Sequence, residues 1–494
     1  MGYSDIGCFG SEINTPHIDR LAASGIRYNQ FYNTAKCYTT RASLLTGLYH
    51  QNALNGKSLN DRCVTLAEVL RDEGYQTGLS GKWHLSGQDD LENESLQPLA
   101  RGFDHFYGTV LGAGSYFDPY TLQRQNERIE PGDGFYYTDA ITENAVERVE
   151  AYARAKAPFF QYVAYTAPHW PMHIPGGDTA VARYEELYSK GWDVIREERF
   201  RKQVKVGIAD ESFRLSSRDE EVPAWANVEN RTWEIRRMAV YAAMLERVDQ
   251  GVGQILASLD RGGILDNTLV LFLSDNGGSQ EDISPKNGFN QLGGNAVTGD
   301  EQKIQIGRDP SVMPGPETTF QGYGKGWANA SNTPFRFFKI ASHEGGIATP
   351  LIAHWPAGIK HPGSVYSQVG HVIDLMPTIL ETTQSVYPKN YQGNEILPLD
   401  GESLFSSFKG LPACERTLFW EYGNRAAIRS GDWKLVTTSM RDRNWELYDL
   451  ARDRSELQNL ASTKRNKFLE LAEQWETWAQ AHGITGKPGK ARGK

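Results

Sequence analysis

From its first residue to about residue 380 this chain alternates helix-length amphipathic stretches with short apolar runs, and few folds accept that alternation. Strands separated by helices pair side by side, so the pattern predicts an α/β domain: a large, mostly parallel sheet sandwiched by helices. Strands are expected over residues 26–32, 76–80, 159–164, 268–274 and 349–352, and helices over 16–23, 40–46, 65–73, 138–154 and 236–259. Several of the apolar runs stop where polar residues begin. In open α/β sheets ligands sit beyond the carboxyl ends of the strands, so a site is expected in the loops that follow them.

After about residue 385 the pattern becomes TLFWEY, RAAIRS, DWKLVTT and NWELYDL, separated by turn residues such as Ser430-Gly431-Asp432. That is the pattern of a smaller antiparallel sheet, and residues 464–482 read as a helix packed on it. A chain of 494 residues exceeds what one core usually organises. The expected division is therefore a catalytic domain over 1–385 and a C-terminal α+β subdomain over 386–494. The polar, charged stretch 178–230 reads as an insertion or a lid, and the Gly/Asn/Ser-rich stretch 276–332 as a long functional loop. Trp192, Trp225, Tyr323 and Trp327 fall in these two stretches and are candidates to stack on a sugar or an aryl ring.

The net charge of -9 is spread over interspersed acids and bases, and the one basic run is Lys487–Lys494 (KPGKARGK), read as a solvated end. This balance argues against a nucleic-acid partner. Cys8, Cys37, Cys63 and Cys414 are too scattered for a disulfide framework and lack zinc-binding spacing. No stretch approaches the roughly 18 apolar residues that span a bilayer. The first residues also lack the basic-then-apolar pattern of a secretion signal.

The most informative segment is Cys37–Gly47, CYTTRASLLTG. Taken singly, a cysteine reads as a small buried hydrophobe, His84 and His169 as core histidines, Lys82 and Lys339 as surface lysines, and Asp275-Asn276 as the start of a turn. The segment resembles the signature of type I sulfatases, in which a cysteine in a C-x-P-x-R setting opens a helix ending in L-T-G. Further segments resemble landmarks of that family, in its order: MGYSDIGCFGSEINTPHIDRLAAS at 1–24, GKWH at 81–84, APHWP at 167–171, SDNGG at 274–278, TPFRFFKIASHEGG at 333–346 and WELYDLARDRSELQNLA at 445–461. Each is weak alone, but their joint order across nearly the whole chain is specific. The sequence is thus similar to the formylglycine-dependent, arylsulfatase-like branch of the alkaline phosphatase superfamily.

That resemblance implies a mechanism and a cast of residues. Cys37 would be oxidised to formylglycine by a formylglycine-generating enzyme, giving a hydrate with one hydroxyl to attack sulfur and another to release sulfate. Arg41, one helical turn on, would hold the hydrate; Lys82 and Lys339 would bind the sulfate oxygens. His84 would serve the nucleophile's hydroxyl, and His169 the sulfate and leaving group, with Lys339 shared as an acid. Asp275 and Asn276, with residue 37, would form half of a calcium site, magnesium being possible in its place. His173 and His343 lie close to motif positions and are assigned no role. The implied substrate is a sulfated small molecule or glycan, and the implied location is the periplasm or outside the cell. A phosphomonoester or phosphonate monoester hydrolase on the same scaffold is the alternative enzyme, and a binding protein with a degenerate site the alternative class.

Two departures bear on these expectations. Thr39 stands where the family signature has proline; proline would favour the extended segment that the modifying enzyme binds, whereas threonine leaves it freer, so conversion of Cys37 would depend on a maturase with relaxed demands. Family members also open with a buried strand ending in two metal-binding aspartates, whereas Met1 stands after that pair. The expectation is a start placed at an internal methionine, downstream of that strand and of an export signal; the alternative is a truncated, inactive chain.

Overall fold

The computed structural model describes residues 1–210, 213–285, 297–298, 302–412, 415–442 and 444–484. Cys414, the basic stretch 487–494 and part of the 276–332 loop lie outside them. Helix α1 (Pro16–Ala23) opens with proline at its first position, where a missing N–H costs nothing, and leads into β1 (Ile26–Tyr28). Helix α2 (Cys37–Thr46) ends at Gly47, whose φ of 69° suits a residue without Cβ. Helix α3 (Leu66–Asp72) starts on a reciprocal cap between Thr65 and Glu68. There follow β2 (Gln76–Gly81), β3 (His105–Thr109), β4 (Leu122–Arg124), β5 (Glu127–Arg128), α4 (Tyr137–Ala155) and β6 (Phe159–Ala164). The 31-residue α5 (Arg231–Arg261) precedes β7 (Val270–Leu273), β8 (Leu351–His354) and β9 (Val365–Tyr366).

The α/β class and the alkaline-phosphatase-like architecture hold, with the strands in two sheets of mixed direction. In the first, ordered β5-β4-β3-β2-β6, β2 runs parallel to β3 and β6, and β4 and β5 complete an antiparallel meander. In the second, ordered β7-β8-β1-β9, β8 is antiparallel to both β7 and β1. The reversal has a local cause: β8 begins beside the end of β7, with Leu351 opposite Leu273, so the chain must run back along it. The facing edges, β6 and β7, border a cavity of about 1080 Å³ that is also lined by Leu245, Val248, Val252 and Leu256 of α5. Five of the six β6 residues are consequently only half-buried, although the run is largely apolar.

The stretch after residue 178 is tied into the body of the fold. Arg199, on the helix Gly191–Lys205, is fully buried and pairs with Asp5 at 2.8 Å and Glu12 at 2.7 Å. The aromatic side chains expected to stack on a ligand stack on the protein instead. Trp192 packs against Trp225 and Trp327 at ring distances of 4.7 and 5.5 Å, and Tyr323 lies flat on Tyr241 at 4.3 Å. Trp192, Tyr323 and Trp327 are buried by these contacts, so the sugar-stacking expectation for this group is corrected: their apolar faces are used in core packing.

Strands β10 (Thr417–Tyr422), β11 (Arg425–Ser430), β12 (Trp433–Thr437) and β13 (Trp445–Asp449) form a sequential antiparallel sheet. Helix α6 (Arg465–Ala481) buries Leu471 and Trp475 against it. This sheet is joined to the larger part by a fully buried ion cluster: Lys434 lies 2.8 Å from both Glu344 and Glu456, Arg454 lies 3.3 Å from Glu344, and the Tyr32 hydroxyl donates to Glu344 at 2.8 Å. Among the described residues, no helix is long and apolar enough to cross a membrane.

Candidate active site

Cys37 is the first residue of α2, preceded by Lys36 in an extended conformation. The segment before it is fixed by hydroxyls. Thr39 Oγ1 donates to the Lys36 carbonyl at 2.9 Å, Thr34 and Thr39 share a bond of 2.6 Å, and the Thr34 amide donates to Thr40 Oγ1 at 3.1 Å. Thr39, at the position where the family pattern has proline, thus anchors the turn through its side chain. Cys37 is buried; burial pushes its thiol up, but Lys82 and Lys339 outweigh that and hold it below its ordinary value.

Lys82 follows β2, the strand flanked by parallel partners on both sides, and burial pushes it down against the opposing pull of Cys37 and Asp275. Arg41 lies one turn along α2 from Cys37, and its guanidinium donates to the carbonyls of Lys82 and Trp83, the latter at 2.7 Å. In this structure Arg41 therefore braces the GKWH turn. His84 closes that turn at a φ of 57°. Its ring occupies the space a Cβ at Gly112 would need, 2.2 Å from Cε1, so any larger residue at 112 would displace the imidazole. His84 Nδ1 is buried without a protein partner. Burial, then Lys82 and Arg41, hold this histidine well below its ordinary range, so it is neutral at neutral pH.

His169, after β6, is oriented by Nδ1, which donates to the Trp170 carbonyl at 2.8 Å, leaving the lone pair of Nε2 facing Lys339 Nζ at 3.3 Å. Burial, then Lys339 and Lys82, keep it neutral. Lys339 is buried and held by its backbone bond to the Gly278 carbonyl at 3.0 Å. Its neighbours Phe337 and Ile340 adopt φ of 64° and 82°, a strain on the order of 1–3 kcal/mol each that is typical of functional loops. Two residues that the sequence reading did not single out complete the cluster. Glu281 lies 3.3 Å from Lys339 and 3.4 Å from Lys36. Tyr38 forms a half-buried rim with Tyr422 of β10, their rings 6.1 Å apart. Nothing local marks Glu281 in the sequence beyond its place in the loop after SDNGG.

Asp275 and Asn276 stand at the carboxyl end of β7. Lys82, Arg41 and Lys339 are among the cations that hold Asp275 down against burial, which raises it. Asn276 Nδ2 donates to the Gly277 carbonyl, while its Oδ1 is buried without a partner. The SDNGG and EGG segments cross so closely that a Cβ at Gly277 would sit 1.9 Å from the Gly345 carbonyl oxygen. These oxygens suit a hard cation in kind. In number they fall short of the roughly six to eight ligands that calcium takes, and among the described residues no group of three or more His, Cys, Asp or Glu is placed to hold a metal.

His173 and His343 lie apart from this chemistry. His343 Nε2 meets Glu446 at 2.9 Å. His173 accepts from the Tyr116 amide at 3.3 Å and donates to the Thr319 carbonyl at 2.7 Å, which fixes it as a neutral core histidine. Burial pushes it down to about 4 from 6.5. As pH falls from 6.5 towards 4 the unfolded chain takes up a proton that the folded one refuses, so stability falls with pH by on the order of 3 kcal/mol from this group. Chemical denaturation across that range should show a shallower pH dependence for His173→Gln than for the parent; an unchanged slope contradicts the assignment.

A reactive position at a helix start, four convergent basic groups and paired Asp-Asn oxygens at strand ends define an ester hydrolase of the alkaline-phosphatase-like class. Residues 1–385 match the family model "Sulfatase", and residues 335–479 match "N-sulphoglucosamine sulphohydrolase, C-terminal". The chain belongs to the sulfatase family and is a sulfuric ester hydrolase. An uncharacterized sulfatase of Schizosaccharomyces pombe is 31% identical to it, over 99% of this chain and 93% of its own length. An arylsulfatase of Klebsiella aerogenes is 31% identical over 82% and 89%. The crystal structure of Ps i-CgsB in complex with k-i-k-neocarrahexaose shares the fold, with a TM-score of 0.68 at 23% identity, covering 99% of this chain and 92% of that one. Sulfatases generally use a formylglycine and a divalent metal.

Proposed function

We propose that this chain hydrolyses aryl or carbohydrate sulfate esters by way of a formylglycine formed at Cys37. The observation that carries the reading is that Lys82 and Lys339 act on one buried residue at the start of a helix, with His84 beside Lys82 and His169 against Lys339. Once converted, residue 37 supplies a geminal diol, one hydroxyl for attack on sulfur and the other for release of sulfate. Lys82 and Lys339 bind the sulfate oxygens and offset charge on the leaving group. Neutral His84, with an unpartnered ring nitrogen, takes the proton from the diol. His169 presents a lone pair to Lys339 and so orients that ammonium to protonate the departing oxygen. Arg41 keeps Lys82 and the GKWH turn in place.

Asp275, Asn276 and residue 37 would supply part of the ligand set of a calcium ion, which would offset negative charge at residue 37 when bound. The carbohydrate branch of the reading draws support from the neocarrahexaose bound to Ps i-CgsB, and the aryl branch from the Klebsiella relative. Steady-state turnover of matched aryl sulfate and aryl phosphate esters tests the reaction class. Sulfate turnover should dominate; dominant phosphate turnover would move the chain to the phosphomonoester or phosphonate monoester hydrolases of the same scaffold.

A further inference from the structure

We propose that Glu281 is a specificity-determining residue that makes this pocket accept singly charged ester groups, sulfate esters, in preference to doubly charged phosphate monoesters. The inference rests on the sulfatase reading of the site and adds to it the residue that enforces the choice. Three segments distant in sequence converge on the Glu281 carboxylate. Lys339 donates to Oε2 at 3.3 Å, the Trp170 indole N–H to Oε2 at 3.4 Å, and Lys36 to Oε1 at 3.4 Å. The loop carrying it is pinned on both sides. The Glu281 amide donates to Ser279 Oγ at 3.3 Å, and the next residue, Asp282, is held by the buried Arg237 at 2.9 Å. A Cβ at Gly322 would come within 2.7 Å of the Glu281 carbonyl oxygen, so the backbone is packed as well as bonded.

This arrangement fixes a permanent negative charge next to the cation that meets the substrate. Burial favours the neutral acid, but Lys339 and then Lys36 outweigh it and hold the carboxyl far below the ordinary range. A pocket built only to attract anions gains nothing from such a group, because it cancels part of the charge of Lys339. It gains selectivity. A sulfate ester carries one negative charge, and an alkyl or aryl phosphate carries nearly two above its second pKa of about 6. At an effective dielectric of about 20, one added charge about 6 Å from a carboxylate is disfavoured by on the order of a hundredfold, and the intervening lysines reduce that towards tenfold. Lys82 and Lys339 meet the first charge; the carboxylate beside Lys339 penalises the second.

The test compares the parent protein, Glu281→Gln and Glu281→Asp. Titration calorimetry with methyl sulfate and methyl phosphate at about pH 8, where the phosphate is doubly charged, reads the affinity ratio without requiring turnover. The parent should prefer methyl sulfate, the Gln variant should shift the ratio towards methyl phosphate by on the order of tenfold, and the Asp variant, which retains the charge, should keep the parent ratio. A scaffolding role would weaken both ligands equally in Gln and leave the ratio unmoved, and that result overturns the proposal. Turnover of an aryl sulfate by the parent is measured separately. Its absence would count against the sulfatase reading alone, because the binding ratio reports on Glu281 whether or not the ester is hydrolysed.

Discussion

Cys37→Ala is expected to lower aryl sulfate turnover by on the order of a thousandfold or more, because it removes the thiol whose oxidation turns Cβ into the aldehyde carbon that carries the nucleophile. The fold should barely register the change. The side chain lost is one sulfur atom, and the backbone turn around it is held by the hydroxyls of Thr34, Thr39 and Thr40, so the unfolding free energy should stay within about 1 kcal/mol of the parent. The assay is kcat with an aryl sulfate on protein matured in a host that has a formylglycine-generating enzyme. Retention of even a tenth of the parent activity would remove Cys37 from the mechanism.

The second large effect concerns stability. Lys434→Met is expected to destabilise the protein by about 3–5 kcal/mol in chemical denaturation, since it leaves Glu344 and Glu456 buried without the ammonium between them. Burial alone would raise Glu344; Lys434, Arg454 and Arg429 hold it at about 2. Removing the lysine should therefore also bring proton uptake at Glu344 into a measurable pH range, with stability recovering as pH falls. An unfolding free energy within about 1 kcal/mol of the parent would show that the cluster is not what fastens the antiparallel sheet to the larger part.

Much of this was legible in the sequence where periodicity is local. The helix at 16–23 and the strand at 159–164 lie where their patterns place them. Helix α5 extends beyond the expected 236–259, to Arg231–Arg261, because polar end turns carry no apolar period. Helix α2 starts at Cys37, three residues before the expected start at residue 40, where the Thr39 hydroxyl bonds the Lys36 carbonyl. The motif residues Cys37, Lys82, His84, His169, Lys339, Asp275 and Asn276 are brought to one region by strand ends, as the α/β pattern leads one to expect. What the sequence could not show depends on contacts between distant segments. Glu281 acquires its partners only when residues 36, 170 and 339 meet, and Lys434 only when β12 reaches Glu344. The tryptophans at 192 and 327 read as ligand platforms in a polar stretch, yet each is covered by the other and by Trp225.

The central claim is that residue 37 becomes the nucleophile, and peptide mass spectrometry tests it most directly. The full chain is co-expressed with a formylglycine-generating enzyme and the tryptic peptide containing position 37 is analysed. The account predicts replacement of the thiol by an aldehyde at Cys37, with aryl sulfate turnover rising in proportion to the converted fraction. A cysteine that stays a thiol in protein that nonetheless turns over aryl sulfate would contradict it.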